Sequence, residues 1–494
     1  MGKARALGEQ SVERGLRRRL LGVALAAGVL VTHAVPLCAQ PPPEAPSIES
    51  VRYTEDYGYL RTTGTEATEA MRPWTSLKYI PLSDSGDIYL TLGAEFRLRY
   101  ERFQDNNWGE GPQDDDGYLW ARALPLADLH VGRNVRVFGQ LISASVYDLH
   151  IPKSPVDEDR LDLLQGFADV RLRPRGEERP SLTLRLGRQL LTYGSGRLID
   201  LRYGPNVLQS FDAAKAFAET DRWRLDLFYA RPVDHRLGEF DDRTDDRRSL
   251  WSLYGTLKPR PDAPLGLDLY YIGYLNEDAV FAAATGRELR HTLGARLFGE
   301  SCGWDWNFEL FHQFGDFNSP EADGDIVAWS VASDTGYTFE HAPLAPRLAL
   351  RANIISGDRN PEVPDIQTFN PLFPKGKYFG ELSPIGPSNL IHVNPYTVLH
   401  LTELLQLTGN LAFYWRQNED DGIYALGGMD LLRAGNGSDS RYIGTQAELL
   451  LELQVSRHLS VAGSCSIFTA GGFIEDTGAD ETMLFAGLEW MYRF

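Results

Sequence analysis

Apolar and polar residues alternate along most of the chain after residue 87. The first regular stretch, residues 88–101, has aliphatic or aromatic side chains at every second position and mostly charged side chains between them. Successive side chains of a strand point to opposite faces, so the stretch predicts a strand with one apolar and one polar face. Its length is typical of a tilted strand that crosses a bilayer. The alternating residues are Ile88, Leu90, Leu92, Ala94, Phe96, Leu98 and Tyr100 on the apolar face and Tyr89, Thr91, Glu95, Arg97, Arg99 and Glu101 on the polar face.

The same alternation recurs in roughly 16 to 18 segments, the last of which ends on an aromatic residue, Phe494. Taken alone, this last segment also fits an edge strand of a soluble sandwich. Many such strands in water would require several sandwiches with linkers between them, and the sequence shows no linkers. A closed barrel leaves no strand edge unpaired. The sequence therefore predicts an all-β fold, a single transmembrane antiparallel β-barrel of about 18 strands (16–18) with long extracellular loops.

Three regions are predicted along the chain. Residues 1–39 are a signal peptide, with arginines at 17–19, an apolar core and a cleavage site after Ala39. A lipoprotein anchor at Cys38 and a twin-arginine signal are the alternatives. Residues 40–87 form a periplasmic N-terminal segment, and residues 88–494 form the outer-membrane barrel. No stretch after residue 40 is apolar for the length of a membrane helix.

Charge and cysteine content exclude several function classes. The net charge of -19 argues against a nucleic-acid partner. The acids cluster between predicted strands, as around residues 239–246, where we interpret them as solvated loop tips; divalent cations beside lipopolysaccharide are the alternative. After processing, Cys302 and Cys465 remain, and we expect two isolated thiols rather than a bridge. No cofactor or metal site is predicted, and the absence of hydrolase and metalloprotease motifs argues against an enzyme.

Several motifs resemble those of the alginate-export family of outer-membrane barrels. The resemblance implies a monomeric barrel of about 18 strands with an arginine-rich lumen, through which an anionic polysaccharide leaves the cell. Its departures concern the loops and Gln165, which stands where an inward arginine is expected. A general or small-anion diffusion porin is therefore the alternative function. The matching stretches are residues 77–82, 187–189, 193–197, 204–207, 210–212, 369–381 and 386–387 and the last strand.

The polar faces are rich in arginine, and this enrichment predicts an anion-preferring pore. Rows of guanidinium groups along a narrow path attract an anion and let it pass between many weak sites. For any single arginine, a bracing pair with a carboxylate in the barrel wall is the favoured interpretation. The predicted pore-lining residues are Arg97, Arg99, Arg136, Arg171, Arg185, Arg188, Arg197, Arg202, Arg224, Arg351, Arg416, Asp169 and Glu448.

One long proline-rich segment, residues 357–396, interrupts the alternation. Such loops are usually functional or disordered, and the aromatic residues here argue against disorder. The segment is therefore a candidate constriction or lid, and an extracellular loop that covers the mouth is the alternative. The candidate constriction residues are Phe369, Asn370, Phe373, Lys375, Lys377 and Tyr378.

The predicted partners follow from a barrel in an outer membrane. They are lipids and lipopolysaccharide around the wall, the barrel-insertion machinery, which reads the terminal Phe494, and an anionic polysaccharide or small anions in the lumen. The predicted location is the outer membrane of a Gram-negative bacterium after Sec-type cleavage of the signal peptide.

Overall fold

The structure is a computed structural model that describes residues 46–63, 74–172, 180–258, 263–281, 285–320, 323–426 and 430–494. The predicted signal peptide, residues 1–39, lies outside the described residues. In these described ranges, helix occurs in three short pieces, α1 (Leu60–Thr63), α2 (Thr75–Lys78) and α3 (Gly472–Thr477), and in 3-10 turns at Arg52–Thr54 and Asn106–Gly109. Among the described residues, no helix has the length and apolarity needed to cross a bilayer.

Eighteen long antiparallel strands form one sheet, to which the two-residue strands Ile80–Pro81 and Arg243–Thr244 are added. A small separate hairpin pairs Ile423–Tyr424 with Leu431–Arg433. The long strands are β1 (Ile88–Gln104), β2 (Tyr118–Val131), β3 (Val135–Tyr147), β4 (Asp159–Leu172), β5 (Ser181–Gln189), β6 (Phe211–Glu219), β7 (Trp223–Asp234), β8 (Arg248–Leu257), β9 (Leu265–Val280), β10 (Thr285–Ser301), β11 (Trp304–Asn318), β12 (Asp323–Thr338), β13 (Arg347–Ile355), β14 (Leu390–His400), β15 (Leu405–Arg416), β16 (Tyr442–Gln454), β17 (Leu459–Ala470) and β18 (Met483–Arg493).

The last strand closes the sheet on the first. Strand β18 pairs with β1 from Glu95 opposite Arg493 to Gln104 opposite Leu484. The backbone N–H of Phe494 donates to the oxygen of Ala94 at 3.0 Å, and the N–H of Ala94 donates back to Phe494 at 3.1 Å. Each strand also pairs with its neighbours in sequence, so the barrel is complete and the prediction of a closed barrel of about 18 strands is confirmed.

The two faces of the wall have opposite polarity. In β1, Phe96, Leu98 and Tyr100 are exposed on the outside, whereas Arg97 and Arg99 are buried on the inside. Leucine, valine and phenylalanine side chains from most strands are exposed in the same way, among them Leu186 at 69 %. An apolar surface of this extent requires an apolar solvent, so the outer face suits the hydrocarbon of a bilayer.

The two ends of the barrel differ in the length of their connections. At one end, here called the short-turn end, strands are joined by turns such as residues 132–134, 302–303 and 401–404, and both the N-terminal segment and Phe494 lie there. At the other, the long-loop end, connections include residues 190–210, 235–247 and 356–389. In bacterial outer-membrane barrels the short turns are periplasmic and the long loops are extracellular.

Candidate functional site in the barrel lumen

Two of the long connections fold into the lumen and pair with each other. We call residues 190–210 the first inner segment and residues 356–389 the second inner segment. The N–H of Asp200 donates to the oxygen of Phe373 at 2.8 Å, and the N–H of Phe373 donates to Leu198 at 2.9 Å. Phe373 also packs edge-on against Phe211 at the start of β6. The two irregular stretches of the sequence therefore form one unit inside the barrel.

Wall arginines hold the first inner segment through its backbone. Arg97 donates to the oxygens of Gly204 at 2.7 Å and Pro205 at 2.9 Å, and Arg122 donates to Pro205 at 3.2 Å. Tyr203 lies between these guanidinium groups and donates its hydroxyl to Glu95 at 2.8 Å. A buried guanidinium without acceptors would cost several kcal/mol. These arginines therefore anchor the segment as well as facing inward.

The second inner segment is held by polar wall side chains on opposite sides of the lumen. The N–H of Asn370 donates to Gln313 of β11 at 3.0 Å, and its side-chain amide donates to Glu288 of β10 at 3.1 Å. On the other side, the N–H of Glu381 donates to Glu448 of β16 at 2.9 Å. The Glu381 carboxylate in turn accepts from Arg99 of β1 at 2.8 Å. The predicted constriction segment thus crosses the lumen, and whether it moves stays a prediction.

Aromatic side chains of the second inner segment fill the space around these bonds. Phe369, Phe373, Tyr378 and Phe379 are all at most 5 % exposed. Lys377 pairs with Glu381 at 2.7 Å. The segment is therefore a packed element of the lumen and not a cover over its mouth.

The N-terminal segment fills part of the lumen from the short-turn end. Arg52 pairs with Glu55 and donates to the oxygen of Phe494 at 2.7 Å. Tyr53 lies on the Arg185 guanidinium, with its ring centre 4.2 Å from the guanidinium carbon, and donates its hydroxyl to Leu190 at 3.1 Å. The backbone oxygen of Tyr53 accepts from Arg136 at 2.7 Å. The region predicted as a periplasmic segment, residues 40–87, thus reaches the first inner segment.

A cavity of about 1020 Å³ lies between the N-terminal segment and the first inner segment. Its lining carries both signs of charge, so the lining by itself does not select an anion. The predicted residues on its wall are Arg136, Asp169, Arg171, Arg185 and Arg224.

Most of the predicted pore-lining arginines are paired. Arg185 binds Asp169 with two bonds of 2.7 and 2.8 Å, and Arg136 binds Asp128 in the same way. Charge-assisted paired bonds of this kind brace neighbouring strands. The other predicted arginines with a carboxylate partner are Arg97 with Glu489, Arg99 with Glu101, Glu381 and Glu489, Arg188 with Asp212, Arg197 with Glu309, Arg224 with Glu219 and Asp226, and Arg351 with Asp334.

Two predicted arginines lie at the long-loop end of their strands. Arg188 binds Asp212 of the neighbouring strand at 3.0 Å, next to Gly187, whose φ is +130°. A Cβ at Gly187 would lie 2.2 Å from the oxygen of Gly166, which explains the glycine of this motif. Arg416 is fully buried and donates to backbone oxygens of the loop that follows β15, among them Ser438 and Ser440 at 2.6 Å each. The hydrogen bonds of Arg416 therefore stabilise the conformation of that loop.

Four predicted cations have no carboxylate within ion-pairing distance among the described residues, and Arg416, whose guanidinium binds backbone oxygens, is one of them. Arg171 lines the cavity, Arg202 belongs to the first inner segment and Lys375 belongs to the second. Burial and the nearby Arg248 lower the pKa of Arg202. Burial, followed by the charges of Arg351 and Arg197, lowers the pKa of Lys375 to about 8. The paired inner segments therefore carry cations that form no ion pair with a carboxylate among the described residues.

Sequence reasoning missed several lumen residues. Arg122 and Leu124 are both buried on the inner face of β2, and the apolar side chain hides the alternation there. Arg290 follows Glu288 at the spacing of one strand face, and this signal was available in the sequence. No pattern in the sequence predicts that Tyr53 lies in the lumen.

Comparison with known proteins places the chain in a family. The sequence profile of the alginate export family matches residues 88–487. A search of curated proteins finds no match.

Solved structures with a similar fold are outer-membrane porins of low sequence identity. A BenF-like porin from Pseudomonas fluorescens Pf-5 has a TM-score of 0.55 at 10 % identity, covering 82 % of this chain and 98 % of that one. OpdK of Pseudomonas aeruginosa with vanillate has a TM-score of 0.54 at 12 % identity, with coverage of 82 % and 98 %. OccK2 (OpdF) of Pseudomonas aeruginosa in complex with glucuronate has a TM-score of 0.52 at 13 % identity, with coverage of 83 % and 98 %.

The complete barrel, its apolar outer face and its polar lumen agree with both comparisons. The two free thiols, Cys302 and Cys465, agree with the expectation of isolated cysteines. The chain belongs to the alginate export family and is an outer-membrane β-barrel channel.

Proposed function

We propose that the channel passes anionic, carboxylate-bearing sugars and that its main substrate is an alginate-like anionic polysaccharide that leaves the cell. The observation that carries this proposal is that Arg202 and Lys375, on the paired inner segments, form no ion pair with a carboxylate among the described residues. A guanidinium and an ammonium in a partly desolvated lumen attract a carboxylate more strongly than they would in water.

Wall arginines have a supporting role in this proposal. Arg97, Arg122 and Arg99 hold the inner segments in place, so the two free cations stay at fixed positions along the path. Bracing pairs elsewhere in the wall keep the barrel rigid without presenting net charge. Selectivity then depends on a few cations and not on the whole set of arginines.

A small-anion diffusion porin is the second candidate, and the filling of the lumen favours it. The N-terminal segment and the two inner segments leave a cavity of about 1020 Å³, and a polymer could thread the barrel only if a segment moved. OccK2 with glucuronate and OpdK with vanillate are similar barrels with small carboxylates, which supports a carboxylate as the solute in either case.

Titration of an oligouronate into single channels of the refolded protein tests the proposal. We expect the oligouronate to block the current and a neutral oligosaccharide of equal length to have no effect. Lys375→Gln and Arg202→Gln should each weaken the block about tenfold, because a lost charge-assisted contact costs about 1.5 kcal/mol. Arg247→Gln, at an exposed arginine of the loop after β7, is the matched control.

An anion-selective current that oligouronate leaves unchanged but a monomeric uronate reduces would favour the small-anion porin. Equal block by neutral and charged sugars would contradict both candidates.

A further inference from the structure

A group of carboxylates gathers at the long-loop end of the barrel, away from the inner segments' free cations. The loop after β7, residues 235–247, folds back on the start of β4. The N–H of Phe240 donates to the oxygen of Leu161 at 2.8 Å, and the N–H of Arg160 donates to Gly238 at 3.2 Å. This pairing brings the loop's two adjacent aspartates against the first two aspartates of β4. The members are Asp159, Asp162, Asp241 and Asp242, with His235 beside them.

The ligand atoms form two overlapping groups that share Asp242. Ligand atoms of Asp162, Asp241 and Asp242 lie within 4.8 Å of one another, and so do those of Asp159, His235 and Asp242. The N–H of Asp242 donates to Asp162 at 3.1 Å, which fixes the loop carboxylates over the strand. Two elements that are far apart in sequence therefore contribute to one centre.

Asp159 provides a second, independent observation that points to a cation ligand at this centre. Its residue is 0 % exposed, and neither carboxylate oxygen accepts a hydrogen bond from the described part of the chain. The Nδ1 atom of His235 lies 4.0 Å away, but it lies 2.7 Å from Asp242. A buried, ionised carboxylate is expensive unless a cation or several donors compensate it.

The nearby cation does not supply this compensation. Arg188 lies 4.0 Å from Asp162, and its guanidinium is held by two bonds to Asp212 at 3.0 and 3.1 Å. The Oδ1 atom of Asp241 is also buried and accepts no hydrogen bond from the described residues. Four carboxylates thus converge with little positive charge among them.

We propose that Asp159, Asp162, Asp241 and Asp242 bind one divalent cation and that the cation is Ca²⁺. An all-carboxylate donor set is hard, and Ca²⁺ accepts carboxylates in irregular arrangements, whereas Mg²⁺ requires a near-ideal octahedron and keeps much of its water. His235 is a positioning residue: its Nε2 faces the N–H of Ser210 at 3.5 Å, and its Nδ1 orients Asp242. The bound ion fixes the loop 235–247 to β4.

Calcium binding to refolded protein in detergent, free of lipopolysaccharide, tests this site. After removal of divalent ions, isothermal titration with Ca²⁺ should show one saturable site, with weaker binding of Mg²⁺. Asp159→Asn and Asp242→Asn should each weaken Ca²⁺ binding at least tenfold. Asp246→Asn is the matched control, because this exposed aspartate of the same loop pairs with Arg231 and lies outside the group.

Trypsin cleavage supplies a second readout that does not depend on affinity. Arg243 and Arg247 are exposed in the loop, so Ca²⁺ should slow cleavage there in the wild type and in Asp246→Asn. Asp159→Asn should fold, because an amide of the same shape removes a buried charge. The rate at which trypsin cleaves this variant should not depend on Ca²⁺. A wild type without saturable Ca²⁺ binding, or an Asp159→Asn protein that binds as tightly as the wild type, would overturn the proposal.

Discussion

At the residue scale, facing the lumen and presenting free charge are different properties. Arg97, Arg99 and Arg185 all point inward, yet each is bound to a carboxylate. Such pairs offset the several kcal/mol that burial of a lone guanidinium would cost, and they leave little net field for a passing solute. Arg202 and Lys375 differ because the carboxylates that could neutralise them are engaged elsewhere, as Asp334 is with Arg351.

Lys375 predicts a pH dependence of ion selectivity. Its pKa is lowered to about 8, so the ammonium is charged at pH 7 and loses its proton as the pH rises through 8. The charged groups that face it are Arg197 and Asp200 on the first inner segment, Asp334 on β12 and Arg351 on β13. Anion preference, measured as the reversal potential in a KCl gradient, should therefore fall between pH 7 and pH 9.

Two substitutions separate Lys375 from other titrating groups. Lys375→Arg keeps its charge at pH 9 and should remove the fall, whereas Lys375→Gln should be less anion-selective than the wild type at pH 7 and should show little change between pH 7 and pH 9. If Lys375→Gln retained the wild-type pH dependence, the titrating group would lie elsewhere.

The sequence predicts which residues face inward but not which of them are free. Alternation identifies Arg99 as a lumen residue from β1 alone. One of its partners, Glu101, lies two positions away on the same face, but Glu381 and Glu489 lie hundreds of positions away and meet Arg99 only through the course of the second inner segment and barrel closure. Pairing depends on this long-range register, about which a local pattern carries no information.

At the element scale, wall strands that the inner segments cover have apolar residues on their inner faces. Leu124 and Leu126 face the lumen on β2, and Leu124 packs with Leu190, Leu201 and Val207. The inner face is apolar there because protein, not water, covers it. A strand covered on both faces loses its alternation, so the sequence pattern is clear on β1 and weak on β2.

The sequence predicts that the long proline-rich segment is a distinct element, but it does not predict where in the molecule this segment lies. Its aromatic residues indicated order, and Phe369 and Phe373 are indeed buried. A local sequence does not specify which polar wall residues receive it. Asn370 reaches Glu288 and Gln313 only because these side chains sit on two neighbouring strands, β10 and β11.

Removal of the N-terminal segment should open the channel. Deletion of residues 46–56 takes away Tyr53 and the bonds of Arg52, which together occupy the lumen at the short-turn end. The barrel itself keeps all eighteen strands. We expect a higher single-channel conductance of the refolded variant, with circular dichroism confirming the intact sheet.

Tyr53→Phe is the control for this deletion. It keeps the ring on Arg185 and loses one hydrogen bond, worth about 1 kcal/mol, so its conductance should stay near that of the wild type. Unchanged conductance after the deletion would show that the narrowest point lies at the inner segments alone.

At the scale of the whole molecule, the two signs of charge occupy different places. The chain has a net charge of -19, and exposed acids lie at the long-loop end, such as Asp246 in the loop after β7 and Asp278 near the end of β9. The wall carries arginine–carboxylate pairs, and the inner segments add the unpaired cations. Local positive charge inside a negative protein is compatible with anion passage because the field near a narrow path is set by the closest unscreened charges.

The reversal potential of single channels in a KCl gradient at pH 7 tests the central claim most directly. We predict a potential whose sign corresponds to preferential passage of Cl⁻ and whose size decreases in Arg202→Gln and Lys375→Gln. A potential whose sign corresponds to preferential passage of K⁺ would contradict it, because the loop acids and not the inner cations would then control the path.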